Sequence, residues 1–193
     1  LAAVICIEDP LREEAPEVIA DLKKLGISKI VMMTGDGERT ARAIAARVGV
    51  DEYYAEVLPE DKAGFVEAEK KKGRKVVMVG DGINDSPALS AADVGIAISE
   101  GAEIAREIAD ITISEDALHQ LITLKEISNA LLKRVQFNYR FVIGFNLGLI
   151  LLGVGGILTP AASALLHNTS TLAISLRSMT NLLKDPEEAC QKS

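Results

Sequence analysis

The sequence predicts an α/β domain with a parallel sheet, followed by a two-helix hairpin that spans a membrane. Three observations carry that reading. Apolar, strand-like runs alternate with helices over positions 1–116, the pattern of a parallel sheet with right-handed crossovers. Three of the runs end abruptly in short loops of Asp, Gly, Thr and Asn, and a parallel sheet gathers such loops at its carboxyl edge, where ligands bind. Positions 141–176 then contain no Asp, Glu, Lys or Arg, and His167 is their only titratable side chain.

Leu1 to Glu8 is a continuous apolar run suited to a strand buried on both faces. Asp9-Pro10 breaks it, and a helix follows to about Leu25, closed by Gly26. Lys29 to Met33 reads as a strand ending at Thr34-Gly35-Asp36-Gly37. A helix from Glu38 to Val48 stops at Gly49. A short extended piece near Tyr53 to Val57 leads to a helix opened by Pro59 and Glu60, whose lysine-rich end complements its own dipole. The strand around Val76 to Val79 runs into Gly80-Asp81-Gly82-Ile83-Asn84-Asp85-Ser86-Pro87-Ala88-Leu89. A short helix at Ala88 to Ala92, a strand at Val94 to Ile98, and a last helix and strand between Ala102 and Ile113 complete the domain.

After Glu115 the character changes. Leu118 to about Gln136 has apolar residues at helical spacing and cations on its other side, the mark of an amphipathic linking helix. The stretch from Phe141 to Leu176 is too long for one span but suffices for two tilted ones of about 17 to 20 residues each. Gly153, Gly155, Gly156 and Pro160 mark the turn between them. Lys133, Arg134 and Arg140 flank one outer end, Arg177 and Lys184 the other, so the positive-inside rule puts both ends and the α/β domain in the cytoplasm. A buried soluble pair of helices is the alternative. The expected divisions are the domain at 1–116, the linking helix at 117–136, two transmembrane helices at 137–183 and a cytoplasmic tail at 184–193.

Bulk composition excludes some classes. Lys and Arg number 21 against 28 Asp and Glu, a net charge of −7, so no basic stripe offers itself to nucleic acid. Cys6 and Cys190 are too far apart to suggest a disulfide framework or a Cys-X-X-Cys metal site. The sequence opens on a strand at Leu1 without an initiator Met, and is expected to be a piece of something longer.

The loops suggest phosphoryl chemistry. Thr34 offers a hydroxyl and Gly35 an N–H to a phosphoryl oxygen, and Lys62 a mobile charge for the same group. Asp81 suits Mg²⁺, which takes one or two carboxylates together with water and phosphate, and Asp85 completes or orients its shell. Gly80 and Gly82 let the backbone turn sharply and come close to a ligand. Such a site stabilises charge on a phosphoryl group in transfer. No nucleophile is evident in these loops. The plainer alternative is a strand-to-helix turn whose acids cap the helix.

Thr34-Gly35-Asp36, Pro59-Glu60-Asp61-Lys62 and Gly80 to Leu89, with Asp9-Pro10-Leu11-Arg12 and Ala92-Asp93-Val94-Gly95-Ile96-Ala97 at matching spacing, resemble the later motifs of the haloacid-dehalogenase superfamily as P-type ATPases carry them. The similarity is strongest to the heavy-metal-transporting subgroup, in which two final transmembrane helices follow the phosphorylation domain. It implies a Rossmann-like, partial haloacid-dehalogenase sheet followed by that hairpin. It further implies a catalytic set of Thr34, Gly35, Asp36, Lys62, Asp81, Asn84 and Asp85, with Asp9 and Asp36 supporting the nucleotide and phosphoryl site. Mg²⁺ would sit at Asp81 and Asp85. The family's phosphorylated Asp stands in a D-K-T-G motif and its ATP site in a nucleotide-binding domain, neither of which occurs in these residues. The resemblance therefore implies an ATP-driven metal-cation pump of the cell membrane, with the remainder of the pump and membrane lipid as partners, and an inactive fragment when this chain stands alone.

Polar residues at bilayer depth are costly and usually functional. The second span carries His167, Asn168, Thr169, Ser170 and Thr171; the first carries Asn138, Tyr139 and Asn146. By the resemblance, His167, Asn168, Ser170, Asn138 and Tyr139 are candidates for the transported ion. Imidazole and oxygen donors without a thiolate suit borderline divalent ions better than Cu(I). The alternative for the Ser, Thr and Asn residues is interhelical hydrogen bonding. A non-catalytic, membrane-anchored regulatory or binding protein is the competing function.

Overall fold

The computed structural model of the chain describes residues 11–81, 84–98, 107–113 and 118–182, which fall into two compact units, Leu1–Thr123 and Leu124–Ser193. The strand expected at Leu1 to Glu8, Asp9, Gly82, Ile83, most of the helix expected after Ala102, and the tail from 184 lie outside the described residues.

The first unit alternates helices and strands as its pattern requires. α1 (Ala15–Lys24) ends in a Schellman turn: Gly26 at φ +99° donates to the Lys23 carbonyl and the Ile27 N–H to that of Leu22, both at 3.1 Å. β1 (Val31–Met33), α2 (Glu38–Val48), β2 (Glu52–Tyr54) and α3 (Pro59–Lys71) follow, then β3 (Val77–Gly80), α4 (Ser86–Ala91), β4 (Val94–Ile98) and β5 (Ile111–Ile113). Among the described residues β1 pairs with β2, and β4 lies between β3 and β5, every pairing parallel. The short helix starts at Ser86 rather than near Ala88, because Pro87 fits the first turn of a helix, where no N–H is needed.

Parallel strands have no hairpin turn to set their register, and here an aspartate does it three times. Asp51, Asp93 and Asp110 each stand just before a strand. Each donates its own N–H, at 2.9 Å, to the carbonyl of Ile30, Val76 or Gly95 on the neighbouring strand. Each carboxylate then accepts the N–H of that same residue, at 2.7, 2.9 and 2.8 Å respectively. The registers that follow, Val31 with Glu52, Val77 with Val94 and Ile96 with Ile111, begin one residue beyond each clip.

The core lies between α3, α4 and the sheet, where Val66, Met78, Ala88 and Leu89 are buried and Met33 packs on them. Gly95 is required there, since a Cβ on it would stand 2.8 Å from the Leu89 carbonyl oxygen. At the opposite edge to the loops, the nearly buried Glu69 carboxylate is held by Lys72 at 2.6 Å and by Arg74.

In the second unit, α5 (Gln120–Val154) and α6 (Pro160–Ser178) are joined by a turn in which Gly156 adopts φ +73° and the Thr159 hydroxyl accepts the Ala162 N–H at 3.3 Å, capping α6. The linking helix expected to end near 136 does not end there. No Gly or Pro interrupts 120–143, and α5 runs unbroken through it. Among the described residues α5 alone is long and apolar enough to cross a membrane by length and composition. α6 falls short of that measure because the polar run His167 to Thr171 dilutes its apolar residues. Both helices expose large apolar side chains, Val154 at 84% and Leu165 at 68% among them.

Two outcomes are expected. Gly95→Ala should destabilise the sheet by about 1–3 kcal/mol through overpacking, read as faster native-state hydrogen exchange across β3, β4 and β5. Asp93 is held below the usual carboxylate range, first by the Val76 N–H and then by Lys75, and Asp51 by Lys23 and then the Ile30 N–H. A depressed carboxylate stabilises the fold at pH values above its unfolded pKa of about 3.9 and loses that effect as pH falls through the lower folded value. Exchange protection in β3 and β4 should therefore fall on acidification below about pH 4, and Asp93→Asn should remove much of that acid-dependent part.

Candidate functional site at the carboxyl edge of the sheet

Three short stretches of backbone meet beyond β1. The Thr34 N–H donates to the Tyr54 carbonyl and the Val57 N–H to that of Thr34, both at 3.0 Å, and the Glu56 N–H to that of Asp36 at 2.9 Å. Glu56 makes this possible by adopting φ +55°, a left-handed conformation that a non-glycine residue rarely takes. Leu58 then opens α3, whose fourth helical residue is Lys62. The loop after β1 and the start of α3 are thereby held in one frame.

Thr34 and Asp36 form a local pair. The Thr34 hydroxyl donates to Asp36 Oδ2 at 2.9 Å and accepts the Asp36 N–H at 3.1 Å. Its proton is thus committed to Asp36, and one lone pair remains on the oxygen for a donor or cation. Gly35 is close to the Val57 carbonyl, where a Cβ would sit at 3.9 Å.

Lys62 and Asp85 come together from motifs 23 positions apart: Lys62 Nζ lies 2.7 Å from Asp85 Oδ1, with the side chains 14% and 12% exposed. Asp85 occupies the N-cap position of α4 but makes no side-chain cap, so the plain helix-capping reading fails for it. Gly80 also spares a neighbour: a Cβ there would clash with Asp85 Oδ2, so the glycine makes room for the carboxylate. Asp81 and Asn84 are exposed beside this pair.

Among the described residues no three His, Cys, Asp or Glu side chains assemble into a metal cage. A cation at Asp81 would have to take most of its ligands from water and phosphoryl oxygens, a donor set that suits a hard cation such as Mg²⁺. A shallow cleft of about 270 Å³ lies nearby, lined by Met33, Tyr54, Ala55, Glu56, Val57, Asp61 and Phe65, and none of the expected site residues lines it.

In the helical unit the expected metal-contacting residues separate into two levels. His167 Nδ1 is 2.8 Å from Asn146 Oδ1, and Asn138 Nδ2 donates to Ser178 Oγ at 2.9 Å. Asn138 and Asn146 are eight positions apart on one helix, about 12 Å along its axis at 1.5 Å per residue. Asn138 and His167 therefore do not share a site within this unit. Asn138 Oδ1 is buried and, among the described residues, lacks a hydrogen-bond partner. Ser170 donates to the His167 carbonyl at 2.8 Å, while Tyr139 and Asn168 are exposed. Two features escaped the sequence. Asn146 has a cross-helix partner that nothing in an apolar run announces. Arg134 clasps the end of α6, donating to the carbonyls of Ser178, Thr180 and Asn181 at 3.1, 2.6 and 3.0 Å, while Arg177 lies 4.0 Å from the Phe137 ring centroid.

Gly80→Ala should force Asp85 away from Lys62 and raise the acylation of the Lys62 amine by soluble reagents. Gly64→Ala, placed where a Cβ meets nothing within 4 Å, should leave it unchanged. Equal labelling of both variants would show that Gly80 does not secure the pair.

Comparison with known proteins bears on this site. Residues 1–93 match the family model for haloacid dehalogenase-like hydrolases. The chain is 42% identical over 175 residues, 90% of its length, to a zinc-exporting P-type ATPase of Mycobacterium marinum, and 41% identical over the same span to a manganese-exporting P-type ATPase of Mycobacterium leprae. It covers 24% of each of these relatives. The crystal structure of a zinc-transporting PIB-type ATPase in its E2.Pi state superposes with a TM-score of 0.80 at 32% identity, over 92% of this chain and 29% of that one. The chain carries a haloacid dehalogenase-like α/β domain and is homologous, over most of its own length, to part of the heavy-metal P-type ATPases.

Proposed function

We propose that the chain is the phosphoryl-site half of the phosphorylation domain, together with a closing transmembrane hairpin, of a pump that uses ATP to move a divalent metal cation across the cell membrane. The observation that carries this reading is the Lys62–Asp85 pair at 2.7 Å at the end of β3. An ammonium with three donors spends one on Asp85 and keeps two for phosphoryl oxygens. Asp85 acts as the residue that holds Lys62 in place, a narrower role than sharing the Mg²⁺ shell. Mg²⁺ bound at Asp81 would neutralise charge on the phosphoryl oxygens. Thr34, fixed by Asp36, and the Gly35 N–H bind and orient the same group, with Asn84 beside them. The phosphorylated Asp and most of the ATP contacts come from a part of the pump outside these residues.

In the membrane half, α5 and α6 span the bilayer as a hairpin with both outer ends in the cytoplasm, and His167 is a donor to the transported ion. The relatives named above are zinc- and manganese-exporting, and imidazole suits the first ion while oxygen donors suit the second. Asn138 and Ser178, about 12 Å away along α5, form a second polar station nearer the cytoplasmic end. The alternative of a non-catalytic regulatory fragment has no structural observation in its favour.

Asp81→Ala in the full-length pump should abolish Mg²⁺-dependent turnover of the phosphoenzyme, while the fold, judged by hydrogen exchange in β3, survives. Unchanged ATPase activity would sink the site assignment.

A further inference from the structure

We infer that Asn146 is a positioning residue that sets the tautomer of His167, so that the ring presents a bare Nε2 to the transported divalent cation. The inference rests on the reading of His167 as a donor to that ion. His167 Nδ1 and Asn146 Oδ1 are 2.8 Å apart, and an amide oxygen can only accept. With the Asn146 amide oxygen turned to the ring, the proton sits on Nδ1. A neutral imidazole carries only one N–H, which leaves the lone pair on Nε2.

Nothing else in α6 competes for the ring. Thr169 donates to the Leu165 carbonyl at 2.8 Å, Thr171 to that of His167 at 3.0 Å and Ser175 to that of Thr171 at 2.9 Å, while Ser170 also spends its proton on the His167 carbonyl. These hydroxyls are satisfied within their own helix. The ring of His167 is held from the other helix, by Asn146 alone among the described residues. This is the arrangement by which a ligating histidine is usually oriented: one nitrogen meets the metal and the other donates to a fixed acceptor. Because the acceptor is a neutral amide rather than a carboxylate, it fixes the ring without adding negative charge at bilayer depth. The donor so presented is a borderline nitrogen, matched to a divalent transition metal and not to a hard Mg²⁺ or Ca²⁺ ion.

The test uses the purified full-length pump with Zn²⁺ or Mn²⁺ as the activating ion. His167→Ala should raise the metal concentration for half-maximal ATPase activity. Asn146→Leu should raise it about 10- to 100-fold, and Asn146→Asp, which still accepts the bond, should restore most of it. Asn146→Leu should add nothing in the His167→Ala background. In ¹⁵N-histidine-labelled pump, the His167 ring should show protonated Nδ1 and unprotonated Nε2, and Asn146→Leu should mix the two tautomers. If His167→Ala shifts the metal dependence and Asn146→Leu does not, the positioning role falls while the donor reading stands. If His167→Ala has no effect, the donor reading falls and takes the inference with it. A further loss in the double variant would make Asn146 a ligand in its own right. A protonated Nε2 in the parent overturns the inference directly.

Discussion

A parallel sheet must specify its register without the help of tight turns, and in this chain a repeated aspartate clip does so. Asp51, Asp93 and Asp110 each exchange two hydrogen bonds with one residue of the neighbouring strand, through main chain and carboxylate together. A slip of one residue would turn every side chain of a strand to the other face. It would also displace the loops at the far end. Because strand length carries register from one edge to the other, clips at the amino edge determine where Thr34, Gly80 and Asp81 emerge at the carboxyl edge. The chemistry sits on one side of the sheet and its alignment on the other.

Space then becomes the limiting quantity at the carboxyl edge. Gly80 and Gly95 lie on paired strands, and each leaves room for one oxygen: Asp85 Oδ2 in the first case, the Leu89 carbonyl in the second. Together they let α4 settle close to the sheet, with Ala88 and Leu89 buried and Asp85 aimed at Lys62. A charge pair only 14% and 12% exposed has lost most of its water, so it persists because each partner supplies what the other gave up. Removing either one strands a charge. That mutual dependence is how a mobile lysine side chain becomes a fixed donor.

Much of this was legible in the residues. The alternation of apolar runs with helices predicted the parallel sheet, and β4 (Val94–Ile98) was read to the residue. The loops after β1 and β3 announced themselves because Gly and Asp break both helix and strand patterns. What one dimension hides is which partner a polar group will choose. Nothing in the order of residues shows that Gly80 also spares a side chain five positions on. Asp85 looked fit for capping or metal binding, and its pairing with Lys62 appears only once α3 approaches it. The continuity of α5 is hidden because a change from charged to apolar composition resembles a boundary, although no Gly or Pro breaks the helix there.

In the helical unit the distinction that matters is between polar groups that can satisfy themselves and those that cannot. Serine and threonine hydroxyls reach their own helix backbone, as Thr169, Ser170, Thr171 and Ser175 do, and so lie in an apolar stretch at small cost without specifying any neighbour. Asparagine, histidine and arginine side chains carry more donors and acceptors than one helix face can meet. Those are the residues that cross between α5 and α6: Asn146 with His167, Asn138 with Ser178, and Arg134 with three carbonyls at the end of α6. Their order along the helices fixes how the two align, since moving one helix by a turn would break every bridge at once. The self-satisfied hydroxyls tune polarity, and the bridging residues set geometry.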